Sequence, residues 1–223
     1  RTPPPEYAAP QKTPAPRSVA AAMHVAELLR DPTLDIRIHF HGGVWNGSEF
    51  ARSLGTSENT ARHYLDLLSG AWAVRQLAPW LENMGKRQVR HPKVYVQDPG
   101  LLLALLGIET FDALMGHPKA GASWEGFVIE QVLSLLKTRD AYFWGTHQGA
   151  ELDLLVMHGG KRFGFEMKLT DAPSMTKSMH IAHQDLGLDR LFVVHPGKTS
   201  WPMGDRTDSL SILDLPRRLA TLA

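Results

Sequence analysis

The segment from Glu151 to Lys168, ELDLLVMHGGKRFGFEMK, constrains this chain more than any other stretch. Two apolar runs flank His158-Gly159-Gly160-Lys161. A Gly-Gly pair is a preferred two-residue hairpin turn, because both central positions take positive φ without a Cβ clash. The turn predicts that His158 faces Lys161. Counting outward sets Val156 opposite Phe163, Leu154 opposite Phe165 and Leu152 opposite Met167 on one face. Side chains alternate along a strand, so the other face sets Asp153 opposite Glu166 and Glu151 opposite Lys168. One face is expected to be apolar, while the other gathers three carboxylates and a lysine.

Opposed residues in a sheet hold their Cβ atoms about 4.5–5.5 Å apart, where like charges destabilise the pairing. A shared proton or a bound cation would neutralise Asp153 and Glu166. Mg²⁺ and Mn²⁺ suit such a place, because hard cations take oxygen ligands from one or two carboxylates, water and substrate phosphate. Lys168 points the same way, ready to orient a water or offset an anionic transition state. The chemistry such a face serves is metal-assisted phosphodiester hydrolysis. A plainer reading stands beside it: a surface hairpin with a Glu151–Lys168 ion pair, which contributes about 0–1 kcal/mol and constrains little.

Asp153 followed by Glu166-Met167-Lys168 fits the pattern D…(D/E)xK, and the chain resembles the PD-(D/E)xK nuclease superfamily. That superfamily also sets a glutamate on the first helix of its core, a position matched by Glu125 in the run from Trp124 to Lys137. The chain is similar, more closely, to the carboxy-terminal domain of unknown function of bacterial and archaeal AAA+ family ATPases. The pieces that carry this are Lys86-Arg87, HPKVYVQDPGL from His91, Leu105-Leu106-Gly107, the segment 124–130, Phe143-Trp144, Gly149 to Asp153, and Phe165 to Lys168. Together they cover about residues 40–200.

The resemblance implies an α/β chain, with a restriction-endonuclease-like mixed sheet flanked by helices and preceded by a winged helix-turn-helix domain. It implies that Asp153, Glu166 and the backbone carbonyl of Met167 hold Mg²⁺ or Mn²⁺, with Glu125 binding through water or completing the shell. Lys168 would orient the attacking water. It also implies an ATPase domain upstream in the full-length protein. Superfamily members serve as non-catalytic binding modules as well, so fold alone does not choose between cutting DNA and binding DNA or protein.

At 223 residues the chain has length for one or two domains with a real core. The absence of cysteine excludes disulfides and thiolate metal sites and fits a reducing cytoplasm. Lys and Arg number 24 against 23 Asp and Glu, so affinity for nucleic acid must come from local patches. No run of 18 apolar residues suggests a transmembrane helix. The opening Arg1-Thr-Pro-Pro-Pro is neither a signal peptide nor an initiator methionine, and points to a piece of a longer protein. Residues 1–18 hold Pro3, Pro4, Pro5, Pro10, Pro14 and Pro16 and are expected to form a disordered tether. A winged helix-turn-helix domain is expected over 19–95 and the nuclease-like domain over 96–223.

Within the first domain a helix is expected over 19–30, stopped by Pro32. A short helix follows over 46–55 and ends at Gly55. Ser57 then caps a second helix whose Ala61, Tyr64, Leu65 and Leu68 fall at helical spacing, with Gly70 expected to close it before a strand over 71–77. The exposed amino-terminal face of that helix offers Asn59, Thr60, Arg62 and His63. Asn and Arg suit base edges, while Thr and His suit phosphates. Lys86, Arg87, Arg90, His91 and Lys93 form a basic patch for backbone phosphate. Glu58 and Asp66 on the same helix weigh for protein docking instead, so DNA and protein both stand as partners for this surface.

Three motifs carry less. Pro196-Gly197-Lys198-Thr199 looks like the end of a phosphate-binding loop, but the required earlier glycine falls at Phe192, so no ATPase site is expected within the chain. The pairs His39/His41 and His180/His183 have metal-like spacing but lack a third ligand, and read as surface or supporting histidines. Gln184 lies on the helix after the second carboxylate strand, where it could help position DNA. Apolar residues 101–106 read as a buried helix, 175–186 as a helix covering the sheet, and 190–195 as a buried strand.

Overall fold

A computed structural model of the chain describes residues 40–81 and 89–222. The expected tether, the helix over 19–30, and Lys86 and Arg87 lie outside the described residues. The fold is mixed α/β, and two compact units divide it. One takes residues up to Gln76 together with His91–Ser123; the other takes Leu77–Arg90 with Trp124–Ala223.

The first unit begins with β1 (Gly43–Val44) and α1 (Gly47–Ser53), continues through α2 (Glu58–Gly70) into the first residues of β2 (Val74–Pro79), which passes to the second unit at Leu77, and returns with β3 (Lys93–Val96) antiparallel to β1. The caps follow the sequence. Asn46 accepts from the Glu49 N–H to open α1, and Ser57 accepts from the Thr60 N–H to open α2. Between the helices Gly55 takes φ +60°, so the chain reverses at the residue that tolerates it. Ala61 and Leu65 pack with Trp45, Phe50, Ala51 and Val94 in one apolar cluster, which fixes α2 against α1 and β3. Helix, tight turn, capped helix and strand therefore follow one another as expected. The unit closes with α3 (Pro99–Leu105) and α4 (Phe111–Met115), capped by Asp98 and Thr110.

Two details refine expectation. Gly70 is the last residue of α2, as expected, but it is not the left-handed residue of the closure. The Trp72 N–H donates to Ser69 O and the Ala73 N–H to Leu68 O, the paired bonds of a Schellman closure, and the left-handed residue between them is Trp72 at φ +61°. His41 is a supporting histidine and not a surface one. It is 2 % exposed, its Nδ1 accepts from the Val96 N–H at 3.0 Å and its Nε2 bonds Ala122 O at 2.9 Å. Both ring nitrogens are spent on backbone, and burial lowers its pKa to about 4.

The second unit is built on α5 (Ala120–Leu136) and a mixed sheet. Its strands are β4 (Ala141–Gly145), β5 (Glu151–His158), β6 (Lys161–Met167), β7 (Arg190–His195), β8 (Trp201–Gly204) and β9 (Thr207–Ser211), with α6 (Lys177–Leu186) between β6 and β7 and α7 (Leu215–Leu219) at the end. The order is β4-β5-β6-β7-β9-β8, and the 78–79 end of β2 lies parallel beside β4. β6, β7 and β9 run parallel, and β4–β5, β5–β6 and β8–β9 are antiparallel. β7 pairs on both sides, which explains its unbroken Leu191-Phe192-Val193-Val194 core. Met179, Ala182 and Leu186 of α6 pack on Leu152, Leu155, Leu191 and Val193. Among the described residues no helix is long and apolar enough to cross a membrane.

Candidate active site

From Leu154–Phe165 to His158–Lys161 the hairpin forms in the expected register, while Lys168 pairs with Glu166 where an ion pair with Glu151 was the plainer expectation. Gly159 and Gly160 take φ +57° and +73°, and Leu154 pairs with Phe165, Val156 with Phe163 and His158 with Lys161. What the sequence did not show is a break in alternation at Asp153. β4 sets Tyr142 against Leu155 but Trp144 against Leu152, so Asp153 and Leu154 together oppose the single residue Phe143. That is a β-bulge, which bends a strand and re-aims side chains next to functional sites. Its consequence is visible in the core. Leu152 and Leu155 lie three apart, yet both pack in the cluster beneath α6, which strict alternation forbids. The expectation that Leu152 shares a face with Leu154 and Val156 is therefore corrected: the extra residue turns it over.

At the bulge the Asp153 carboxylate replaces a strand contact. Its Oδ2 accepts from the Met167 backbone N–H at 2.8 Å, linking the first carboxylate to the residue after the second. Asp153 and Glu166 are 8 % and 6 % exposed, so both acids lie inside the protein. Glu166 Oε1 accepts from Lys168 Nζ at 2.8 Å, while its Oε2 is buried with no hydrogen-bond partner. Burial raises the Glu166 pKa, the neighbouring Lys168 ammonium opposes the rise, and the charges of Glu151 and Glu125 reinforce it. Lys168 is half-buried, which works against its charge, but Glu166, Asp153 and Glu125 outweigh this and hold its pKa above the usual lysine value. An orphaned carboxylate oxygen in low dielectric is costly unless a proton or cation meets it.

Glu125 lies in the second turn of α5, half-buried, and acts on Glu166 and Lys168 through its charge. Among the described residues no three His, Cys, Asp or Glu side chains converge as a metal-holding group. A hard divalent cation at this place would draw on Asp153, Glu166, the Met167 carbonyl and water. Two carboxylates with water is a donor set that Mg²⁺ commonly takes, and the unpartnered Oε2 fits such an ion. Ser178 belongs to the site's frame and was not singled out in the sequence. Its hydroxyl accepts from the Glu151 N–H and donates to Glu151 O, both at 2.7 Å, tying the first turn of α6 to the strand that carries Asp153. A serine near a helix start reads as a cap from sequence, and Thr176 takes that role here.

On the first unit, Asn59, Arg62 and His63 are exposed on α2, while Thr60 is half-buried and its hydroxyl bonds Ser57 Oγ. Arg62 Nε sits 3.4 Å from Asp66 Oδ1, which also accepts from Gln76 Nε2. Arg90 and His91 are exposed, but Lys93 is only 4 % exposed and leaves the expected basic patch, because β3 turns it inward beside Val94 and Tyr95. His180 and Gln184 are exposed on α6. Pro196 to Thr199 joins strand to strand without a following helix, so it lacks the helix amino terminus that a phosphate-binding loop requires.

Residues 30–112 match a domain of unknown function (DUF8612), and residues 120–215 match a second domain of unknown function (DUF4143). The chain is 52 % identical over 167 residues to the uncharacterized protein Rv2008c of Mycobacterium tuberculosis, and equally to the uncharacterized protein Mb2031c of Mycobacterium bovis. Each match covers 75 % of this chain and 38 % of the relative, so the chain spans well under half the length of these proteins.

Proposed function

We propose that this chain is the carboxy-terminal part of an AAA+ family ATPase-like protein, and that it hydrolyses phosphodiester bonds in DNA with a divalent metal. The observation that carries the reading is the pair of buried acids at the bulge, Asp153 and Glu166, with one carboxylate oxygen unpartnered. Asp153 and Glu166 would hold Mg²⁺ or Mn²⁺, aided by the Met167 carbonyl, and Glu125 would add charge or a water-mediated contact. The metal, when bound, supplies Lewis-acid stabilisation of the phosphoryl oxygens and a more acidic water. Lys168, held by Glu166 Oε1, presents its remaining N–H groups to orient that water and to stabilise developing negative charge. Asn59, Arg62 and His63 of the first unit approach the duplex as the exposed face of a recognition helix, and Arg90 of the second unit is by itself a cation suited to phosphate.

A second reading keeps the partners and drops the reaction: a non-catalytic module that binds DNA or protein for its ATPase. It is favoured by the Lys168–Glu166 ion pair, which occupies the second carboxylate, and by the absence of a three-ligand group among the described residues. Incubating supercoiled and linear DNA with the chain in Mn²⁺ separates the two. Nicking by the wild type that disappears in Asp153→Asn supports the enzyme. Cleavage undiminished in that variant excludes the assigned site.

A further inference from the structure

The face of the sheet turned away from Glu166 carries a second cluster at the opposite end of the strands. In β6, Lys161 and Phe163 share a face, and Glu166 is on the other. Phe163 pairs with Arg190 in β7, and Phe192, two residues on, pairs with Asp208 in β9. Lys161, Phe163, Arg190 and Asp208 therefore line one side of the sheet near the amino ends of its parallel strands. Arg218 of α7 lies over them, its guanidinium 5.5 Å from the Phe192 ring centre. Between them is a cavity of about 330 Å³, lined by Lys161, Arg190 and Arg218 with Phe163 and Leu222 as apolar wall. Its lining residues on β6, Lys161 and Phe163, lie five and three positions from Glu166, about 10–17 Å along the strand.

The charges are arranged to receive rather than to cancel. Arg190 Nη1 and Arg218 Nη2 both bond the same oxygen of Asp208, at 2.6 and 2.8 Å, so one carboxylate fixes two guanidinium groups. Each guanidinium has five N–H donors, and one of each is spent on Asp208. Asp189, the other acid on the wall, accepts from the Arg162 N–H at 2.8 Å. Among the described residues the Lys161 side chain has no ion pair. Three cations thus meet two carboxylates, one of them already committed to backbone. Held guanidinium forks with donors to spare are suited to phosphate, which they bind bidentately. The volume exceeds what a bare phosphate fills and reaches the range of small-molecule sites.

We propose that this cavity is a binding site for a small phosphomonoester, its phosphate held by Arg190, Arg218 and Lys161 and its organic part against Phe163 and Leu222. The site is separate from the carboxylate site and does not depend on whether that site is catalytic. Calorimetric titration of the full chain with inorganic phosphate and with AMP, in chloride buffer at fixed ionic strength, tests it. The expected result is saturable binding of at least one of the two probes. Affinity falls about tenfold or more in Lys161→Gln and in Arg218→Gln, the loss of one charged hydrogen bond each, and is unchanged in Asp153→Asn. Lys161 sits on the exposed turn, so its replacement leaves the fold intact and keeps the test sound if Arg218→Gln disturbs α7. Absence of saturable binding by either probe overturns the proposal. So does affinity that Lys161→Gln leaves unaltered, or that Asp153→Asn removes.

Discussion

Asp153 does two jobs at once, and they are separable. Its charge supplies half of the acid pair, while its Oδ2 satisfies the Met167 N–H in a buried place. Asn keeps an acceptor oxygen and Ala does not. Asp153→Ala should therefore be less stable than Asp153→Asn by about 1–3 kcal/mol, the cost of an unpaired buried N–H, as read from urea midpoints. Equal stabilities would show that the 2.8 Å bond contributes nothing. His41 offers a second residue-scale test. Its folded pKa of about 4 lies below the ordinary 6.5, so the folded state refuses a proton that the unfolded chain accepts. Stability is complete above pH 6.5 and is lost as pH falls toward 4, by about 3 kcal/mol in all for a shift of this size. His41→Gln should flatten that stretch of the pH–stability curve. A curve that keeps its slope would assign the acid sensitivity to other groups.

At the scale of elements, the legible parts are those whose causes are local. The Gly159-Gly160 turn fixes the hairpin register because both residues must take positive φ. Ser57 and Gly55 mark the two ends of the turn between α1 and α2 for equally local reasons. The bulge at Asp153 is not legible in the hairpin's residues, since it exists only in how β5 meets β4, a strand outside the hairpin. The inward turn of Lys93 escaped notice for the same kind of reason. Trp72 differs in another way: propensity favours Gly70 as the left-handed residue, yet Gly70 stays helical, Ala71 caps α2 and Trp72 takes that conformation. Gly164 is a site where an element's packing makes a firm prediction. A Cβ there would lie 2.6 Å from Leu188 Cδ1 and 3.1 Å from Leu191 Cδ1, on the side of the sheet that α6 covers. Gly164→Ala should cost about 1–3 kcal/mol by overpacking, and Leu188→Ala in the same chain should recover part of it. A neutral Gly164→Ala would mean that Leu188 and Leu191 yield freely to an added methyl group.

For the molecule as a whole, the second unit organises its chemistry at two ends of one sheet. The acids and Lys168 gather where β6 ends, while the arginines gather where β6 and β7 begin, on the other face. The residues of the hairpin foretold the first group because they lie within 18 positions of one another. The second group is drawn from positions 161, 190 and 218, and no local pattern joins them. The chain spans well under half the length of its relatives, so the proposed cation site at Asp153 and Glu166 is the part of the reading that this chain tests by itself. Calorimetric titration of the wild type and of Asp153→Asn with Mn²⁺ therefore tests the account most directly. The prediction is one saturable site in the wild type that is lost or greatly weakened in the variant. Equal binding by both proteins, or none by the folded wild type, would contradict the assignment of a metal to these two acids.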